Sequence, residues 1–160
     1  MKMTVYTDGG FSSINKVGSW GFVVLNVDKT LCIERAGIVD HHRQTSQVAE
    51  IMAIKQSLTF IKETLCKSEC DLVSKVNVTL ISDSQYCVNT MNEWMYGWAR
   101  KEWNVDKQNL DLWKSLHDLK HEFKNVDLQW VKGHSGDFYN ERVDTLNQVA
   151  LKTHIKGLKV

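Results

Sequence analysis

The segment from Ser46 to Lys62 constrains this chain most, because Val48, Ile51, Met52, Ile54, Leu58 and Ile61 recur at the spacing of one helical face. Strand-like runs stand on both sides of it. Before it the pattern predicts three strands, about Thr4 to Asp8, Ser19 to Asn26 and Thr30 to Val39, with Asp28-Lys29 as the turn between the last two. Their expected pairing is an antiparallel meander. After it come a polar connector from Cys66 to Lys75, a strand ending at Ser82, and helices over Ser84 to Trp94, Gly97 to Trp103 and Leu110 to Phe123. A strand over Asp127 to Val131 and a last helix starting near Phe138 or Tyr139 complete the chain. Alternation of strand and helix in this second half implies parallel pairing, so the expected class is α/β. The chain contains no proline, and its boundaries follow from glycines and polar clusters.

With 160 residues and 42% hydrophobic content, the chain can bury one substantial core, so a single domain over 1–160 is expected. No apolar stretch approaches the ~20 residues of a membrane-spanning helix, and the N-terminus lacks the charged-then-apolar order of a signal peptide. These features predict a soluble, cytoplasmic protein without a membrane partner. Cys32, Cys66, Cys70 and Cys87 show one short spacing and no histidine to complete a zinc site, which favours reduced thiols. The formal net charge of +1 implies no general basicity, so attraction to any polyanion would have to come from local patches.

Four acids stand in settings that suit a divalent cation. Asp8 follows the run Met3 to Thr7 and precedes Gly9-Gly10, which predicts a carboxylate at a strand edge before a bend. Asp83 ends the run Val76 to Ser82, where a helix is expected to begin. Glu50 shares its helix with the apolar face, and an uncompensated buried carboxylate is costly, so a metal or a basic partner is the natural remedy. Asp144 lies in the last predicted helix. Hard oxygen ligands from four segments suit Mg²⁺ or Mn²⁺, whereas zinc prefers nitrogen and sulfur. Taken singly, an Asp at a strand end serves equally as a turn former or a helix N-cap. His41, His42, His117, His121 and His154 read as structural or exposed.

The local words Tyr6-Thr7-Asp8-Gly9-Gly10, Arg43 through Ile51, Ser82-Asp83-Ser84-Gln85-Tyr86 and Trp130 through Asp144 occur in the order and at about the spacing of a known family. From Met3 to Leu151 the chain resembles type 1 ribonuclease H. That resemblance implies a five-stranded mixed sheet, three antiparallel strands and then two parallel, flanked by helices, with the acids at one end of the central strands. It implies an endonuclease that hydrolyses the RNA strand of an RNA/DNA hybrid and leaves 5′-phosphate and 3′-hydroxyl ends. The implied cofactor is a pair of Mg²⁺ ions, replaceable by Mn²⁺, about 3.5 to 4 Å apart. Asp8 would bridge both ions, with Glu50 and Asp83 on the leaving-group side and Asp144 on the nucleophile side. His134, in the glycine-flanked loop after the last strand, would transfer a proton or aid product release.

The resemblance also implies a substrate surface. Gly9, Ser46, Gln47 and Gln85 fall where family members meet the RNA strand, whose 2′-hydroxyls call for amide, hydroxyl or backbone readers. Typical members carry Asn in place of Ser46. Their RNA-contacting Asn in the first loop aligns here with Ile14 unless the register slips to Asn15. Arg43, Thr45 and Asn109 match a pocket for a DNA phosphate, and Thr45 reads equally as a helix cap. Trp94 and Trp98, four apart on one helical face, match with Arg100 and Lys101 a protruding DNA-binding handle, the alternative being a small local core. Trp103 and Trp113 favour packing. The resemblance implies a monomer with no obligatory protein partner. A junction-resolving or transposase-like nuclease and a non-catalytic nucleic-acid-binding module are the competing classes.

Overall fold

Alternation along one central strand separates the two faces of the molecule: Phe22 and Val24 point into the larger core, Val23 and Leu25 into the smaller. In the computed structural model, which describes residues 1–65 and 72–158 (at Leu65 the backbone alone), that strand is β2, Val17–Asn26. Its neighbours are β1, Lys2–Ser12, and β3, Cys32–Ile38, both antiparallel to it. Parallel strands β4, Asn77–Ser82, and β5, Asn125–Trp130, extend the sheet on the far side of β1, giving the order β3-β2-β1-β4-β5. The expected five-stranded mixed sheet is therefore present.

Helix α1, Ser46–Phe60, packs across β1 and β2 and continues through one wide turn, Ile61–Leu65. Its apolar residues Val48, Ile51, Ile54, Leu58 and Ile61 are fully enclosed in the larger core, as the spacing predicts. Helix α4, Leu110–Glu122, lies beside α1 and adds Trp113 and Leu116 to that core. On the opposite face, helix α5, Phe138–Leu158, covers β1, β2 and β3. There Val143 closes on Val23 and Leu25, with Tyr6, Tyr139 and Leu146 around them. No helix among the described residues is long and apolar enough to cross a membrane. The expected connector begins outside the described residues, with Cys66 and Cys70; Val73–Lys75 form a single tight turn.

Two local expectations are corrected. Strand β1 does not end at Asp8. It runs through Gly9 and Gly10 to Ser12, pairing them with Trp20 and Ser19 of β2. The glycines make room instead of a bend, because a Cβ on Gly9 would stand 2.4 Å from the Ala49 carbonyl carbon and the Glu50 nitrogen of α1. The predicted pair of helices around Gly97 is a single helical path, formed by α2 (Gln85–Asn89), a wide turn (Thr90–Trp94) and α3 (Met95–Arg100). Within it Lys120 donates from Nζ to the Met91 carbonyl at 3.0 Å, supplying a partner where the helical ladder is widened. Gly97 sits inside α3, and the path ends instead at Glu102 and Trp103, both at positive φ.

Candidate active site

Three chain segments end at one place. The parallel pairing of β1 with β4 stops at Thr7 and Ser82, so Asp8 and Asp83 emerge side by side just beyond it. The close approach of α1 at Gly9 brings Glu50 to the same spot. One carboxylate oxygen from each of Asp8, Glu50 and Asp83 lies within 4.8 Å of the others. Asp144 stands outside this trio. It reaches the site from α5, close enough to act directly on the Asp8 carboxyl.

Electrostatics explain why the arrangement calls for a cation. Burial pushes the Asp8 carboxyl well above its ordinary range, and the charges of Glu50, Asp83 and Asp144 push it further. Burial followed by the Asp83 charge raises Glu50, opposed by the Gly9 backbone N–H and the Asp8 carboxyl. Asp83 is raised by burial too, and His134 beside it pulls the other way. Oε2 of Glu50 is enclosed and has no hydrogen-bond partner. An orphaned carboxylate oxygen within a cluster of mutually repelling acids fits a hard divalent cation, which would satisfy the lone pair and relieve the repulsion together.

This repulsion has a sign that can be measured. Because the folded-state carboxyls of Asp8, Glu50 and Asp83 titrate above their unfolded values, their contribution to stability is full below the ordinary carboxylate range and is lost as pH rises through the folded values. His117, held low chiefly by burial, acts oppositely, but only below its unfolded value of 6.5. Asp28, Glu34 and Asp111, all held low, are ionised in both states at neutral pH. The expected result is that in EDTA the Tm falls between pH 7 and pH 8, below the range where the buried Cys87 thiol adds to the slope. Saturating Mg²⁺ should flatten that fall. An unchanged slope with Mg²⁺ would count against cation binding by these acids.

Loop 131–137 closes the other side. Trp130 Nε1 donates to the Asp83 carbonyl at 3.1 Å, and the Val131 N–H to the Ser82 carbonyl at 3.0 Å, which extends the β4–β5 edge past the acid. A Cβ on Gly133 would lie 3.1 Å from Asp83 Oδ2, so the loop passes directly against that carboxylate. His134 follows in the left-handed region, φ 56°, with its side chain exposed.

The predicted substrate residues divide into groups. Gln47, Trp94, Trp98, Arg100 and Lys101 line a groove of about 720 Å³ together with Tyr86, Glu93, Gly97, Lys107 and Gln108. Trp94 remains 44% exposed, which leaves its ring available. Arg43, Thr45, Ser46, Gln47 and Asn109 line an adjoining hollow of about 680 Å³ with Asp111. Gln47, Lys107 and Gln108 border both, so the two form one continuous surface. Thr45 Oγ1 accepts from the Val48 N–H at 3.0 Å, capping α1 and keeping its own O–H to donate. Asn109 takes a positive φ of 62° at the start of α4 and makes no side-chain cap.

Gly9, Asn15 and Gln85 line neither hollow. Gln85 is exposed on the first turn of α2. Asn15 turns back on its own loop, both its N–H and Nδ2 donating to Ser12 Oγ at 3.1 Å, while Ile14 is 90% exposed. Trp113 is fully buried with its Nε1 donating to the Tyr86 hydroxyl, and Trp103 packs edge-on against His117. Sequence reasoning missed Asp111, which pairs with Arg43 and takes His41 Nε2 at 3.0 Å. Against the burial that opposes it, these partners hold the Asp111 carboxyl down at about 2. Nothing in the sequence couples Arg43 to an acid 68 positions away.

The family model for RNase H matches residues 1–152. The chain belongs to the RNase H family of nucleases. Among curated relatives, Ribonuclease H of Phenylobacterium zucineum is 35% identical over 158 residues, covering 94% of this chain and 90% of the relative. Ribonuclease H of Rhizobium etli is 33% identical over 162 residues, covering 98% and 95%. Among solved structures, RNase H1 of the archaeon Halobacterium salinarum superposes with a TM-score of 0.71 at 18% identity, covering 96% of this chain and 99% of the other. The N-terminal RNase H domain of a Mycobacterium tuberculosis protein does so with a TM-score of 0.73 at 19% identity, covering 98% of each. These last two establish the fold, and the RNase H sheet with its flanking helices is the one expected from the sequence.

Proposed function

We propose that this protein is a ribonuclease H that cuts the RNA strand of RNA/DNA hybrids endonucleolytically, working as a single catalytic domain over 1–160, a monomer, in the cytoplasm. The observation that carries this reading is the convergence of Asp8, Glu50 and Asp83 on one point, with Asp144 and His134 beside it. Asp8, Glu50, Asp83 and Asp144 would hold two Mg²⁺ ions, with Mn²⁺ able to substitute; Asp8 is assigned the central place in this set, Glu50 and Asp83 the leaving-group side and Asp144 the side of the attacking water. Cations bound there supply charge stabilisation for the attacking and leaving oxygens of an in-line displacement. Water attacks phosphorus and the bond to the 3′-oxygen breaks, so one fragment keeps a 3′-hydroxyl and the other a 5′-phosphate. His134, exposed on its loop, would receive or deliver a proton at the phosphate and ease product departure.

The adjoining surface would select the substrate. Gly9, Asn15, Ser46, Gln47 and Gln85 are assigned to the RNA strand, whose 2′-hydroxyl marks it. Ser46 and Gln47 lie in the first turn of α1, three or four residues from Glu50, a spacing that puts a reader of the ribose next to the acids. Arg43, Thr45 and Asn109 are assigned to a DNA phosphate, which the free Thr45 hydroxyl and the α1 N-terminus suit. Trp94 and Trp98, with Arg100 and Lys101, would carry the DNA strand along the larger groove.

A labelled RNA/DNA hybrid incubated with Mg²⁺ tests the proposal, with EDTA, duplex DNA, duplex RNA and junction DNA as parallel arms. Shortened RNA opposite intact DNA, only with Mg²⁺ and only from the hybrid, is the expected result. Preferential cutting of junction DNA would replace it with a resolving nuclease, and no cutting at all would leave a binding module.

A further inference from the structure

The helix that brings Asp144 to the site carries a second polar side chain three residues on. The buried stripe of α5 runs Asn140, Val143, Asn147, Leu151, and Asn147 is fully enclosed at a position where an apolar residue would normally pack. A buried amide is costly unless all its polar atoms find partners. Here they do. Nδ2 of Asn147 donates to Asp8 Oδ2 at 2.5 Å and, more weakly, to the Val143 carbonyl at 3.4 Å. Oδ1 accepts from the Ser19 hydroxyl at 3.0 Å. The nitrogen end of the amide faces Asp8 and the oxygen end faces the Ser19 hydroxyl, so both ends are engaged.

The surrounding backbone is cut to this amide. A Cβ on Gly10 would stand 2.4 Å from Asn147 Oδ1 and 2.9 Å from Ser19 Oγ. A Cβ on Gly21, opposite Asp8 on β2, would stand 3.2 Å from Asn147 Cβ and from the Val143 carbonyl oxygen. Two strands thus give up side chains where α5 delivers the amide to Asp8. Asn147 donates to one oxygen of the Asp8 carboxyl from the α5 side.

We propose that Asn147, itself fixed by Ser19, is a positioning residue that locks the Asp8 carboxylate in its cation-binding orientation. The inference rests on the reading of Asp8 as a cation ligand. Groups that orient a ligand from behind typically govern metal affinity or activity by about 10- to 100-fold. The hydrogen bond from the amide sets the plane of the carboxylate before any cation arrives, and Ser19 keeps the amide from turning over. Because the contact is made to the enzyme's own acid, its loss should appear in metal binding and turnover, leaving hybrid affinity alone.

The test compares wild-type protein with Asn147→Ala, Ser19→Ala, Gly10→Ala and the Gly10→Ala/Asn147→Ala double variant. Mn²⁺ affinity is measured calorimetrically without substrate, and kcat and KM are measured on a hybrid. Asn147→Ala should weaken Mn²⁺ binding roughly 10- to 100-fold and lower kcat at fixed Mg²⁺ with KM unchanged. Ser19→Ala should do the same to a smaller degree. Gly10→Ala, by driving its Cβ into Oδ1, should reproduce the metal defect of Asn147→Ala and add almost nothing in the double variant. Wild-type Mn²⁺ affinity in Asn147→Ala, or additive losses in the double variant, would overturn the proposal. If Asn147→Ala does not fold, Ser19→Ala decides by the same readouts. A wild-type protein that cuts the hybrid while Asn147→Ala binds Mn²⁺ normally refutes this inference alone; a wild-type protein that neither binds Mn²⁺ nor cuts refutes the functional reading as well.

Discussion

Asp8→Asn is expected to abolish hybrid cleavage, by roughly 10³-fold or more, while raising the Tm of the metal-free protein. Losing one preorganised stabilising group in a hydrolytic site typically costs about 10²- to 10³-fold, and Asp8 is the acid that all the others act on. The gain in stability has the same origin. Asp8 is 4% exposed and is pushed upward by burial and by three neighbouring acids, so the folded metal-free protein carries a repulsion that a neutral amide removes. An Asn at this position keeps an oxygen that can accept from Asn147 Nδ2, so the network behind it survives. The gain should be on the order of 1 to 2 kcal/mol, or roughly 3 to 8 °C in a chain of this size. Thermal melts in EDTA and in Mg²⁺ separate the two effects: the variant should melt higher than wild type in EDTA and respond less to Mg²⁺. Surviving cleavage would point to a contaminating nuclease, and a lower Tm in EDTA would show that Asp8 is not under electrostatic strain.

Gly9→Ala should be the most damaging single methyl in the molecule. The added carbon would meet backbone atoms of Ala49 and Glu50, at 2.4 to 2.7 Å, and backbone cannot swing aside as a side chain can. Overpacking a well-filled core costs about 1 to 3 kcal/mol, and this case belongs at or beyond the upper end because α1 itself has to move. The displacement carries Glu50 away from Asp8 and Asp83, and misplacing a reacting group by about 1 Å can cost 10²-fold in rate. Denaturant melts and single-turnover cleavage should therefore fail together. A Gly9→Ala protein of normal stability and rate would show that α1 does not depend on this close approach.

The sequence revealed those parts of the site whose signal is local. Asp83 ends an apolar run where a helix is expected, and α2 does start just beyond it at Gln85. Glu50 interrupts a helical face, and its unpartnered oxygen is the structural counterpart of that anomaly. Gly9 and Gly10 misled because two adjacent glycines signal a bend and a close helix approach equally well, and only the facing element distinguishes them. The path from Gln85 to Arg100 misled for a related reason: Gly97 looks like a break, but its Cβ position meets nothing closer than Arg100 Nη2 at 3.7 Å. Asn147 escaped notice because a lone Asn in an amphipathic helix gains meaning only once its turn is set against Asp8, 139 positions earlier. Strand order likewise rested on resemblance, since periodicity says which face a residue takes and not which strand lies beside it.

The pairing of Arg43 with Asp111 bears on how the enzyme lets go. In the hollow assigned to DNA, the guanidinium is already held by a carboxylate that His41 steadies. A phosphate that took the arginine would have to displace that carboxylate, so the grip gained would be the difference between two anions and not the full strength of one. Loose inorganic phosphate or free nucleotides, which offer a single contact, gain little from such an exchange. A long duplex recovers the cost through its many other contacts. With the strand severed and those contacts thinned out, Asp111 would reclaim its partner, and the proposed DNA contact would then favour departure of the cleaved duplex over a slow, sticky end to each turnover.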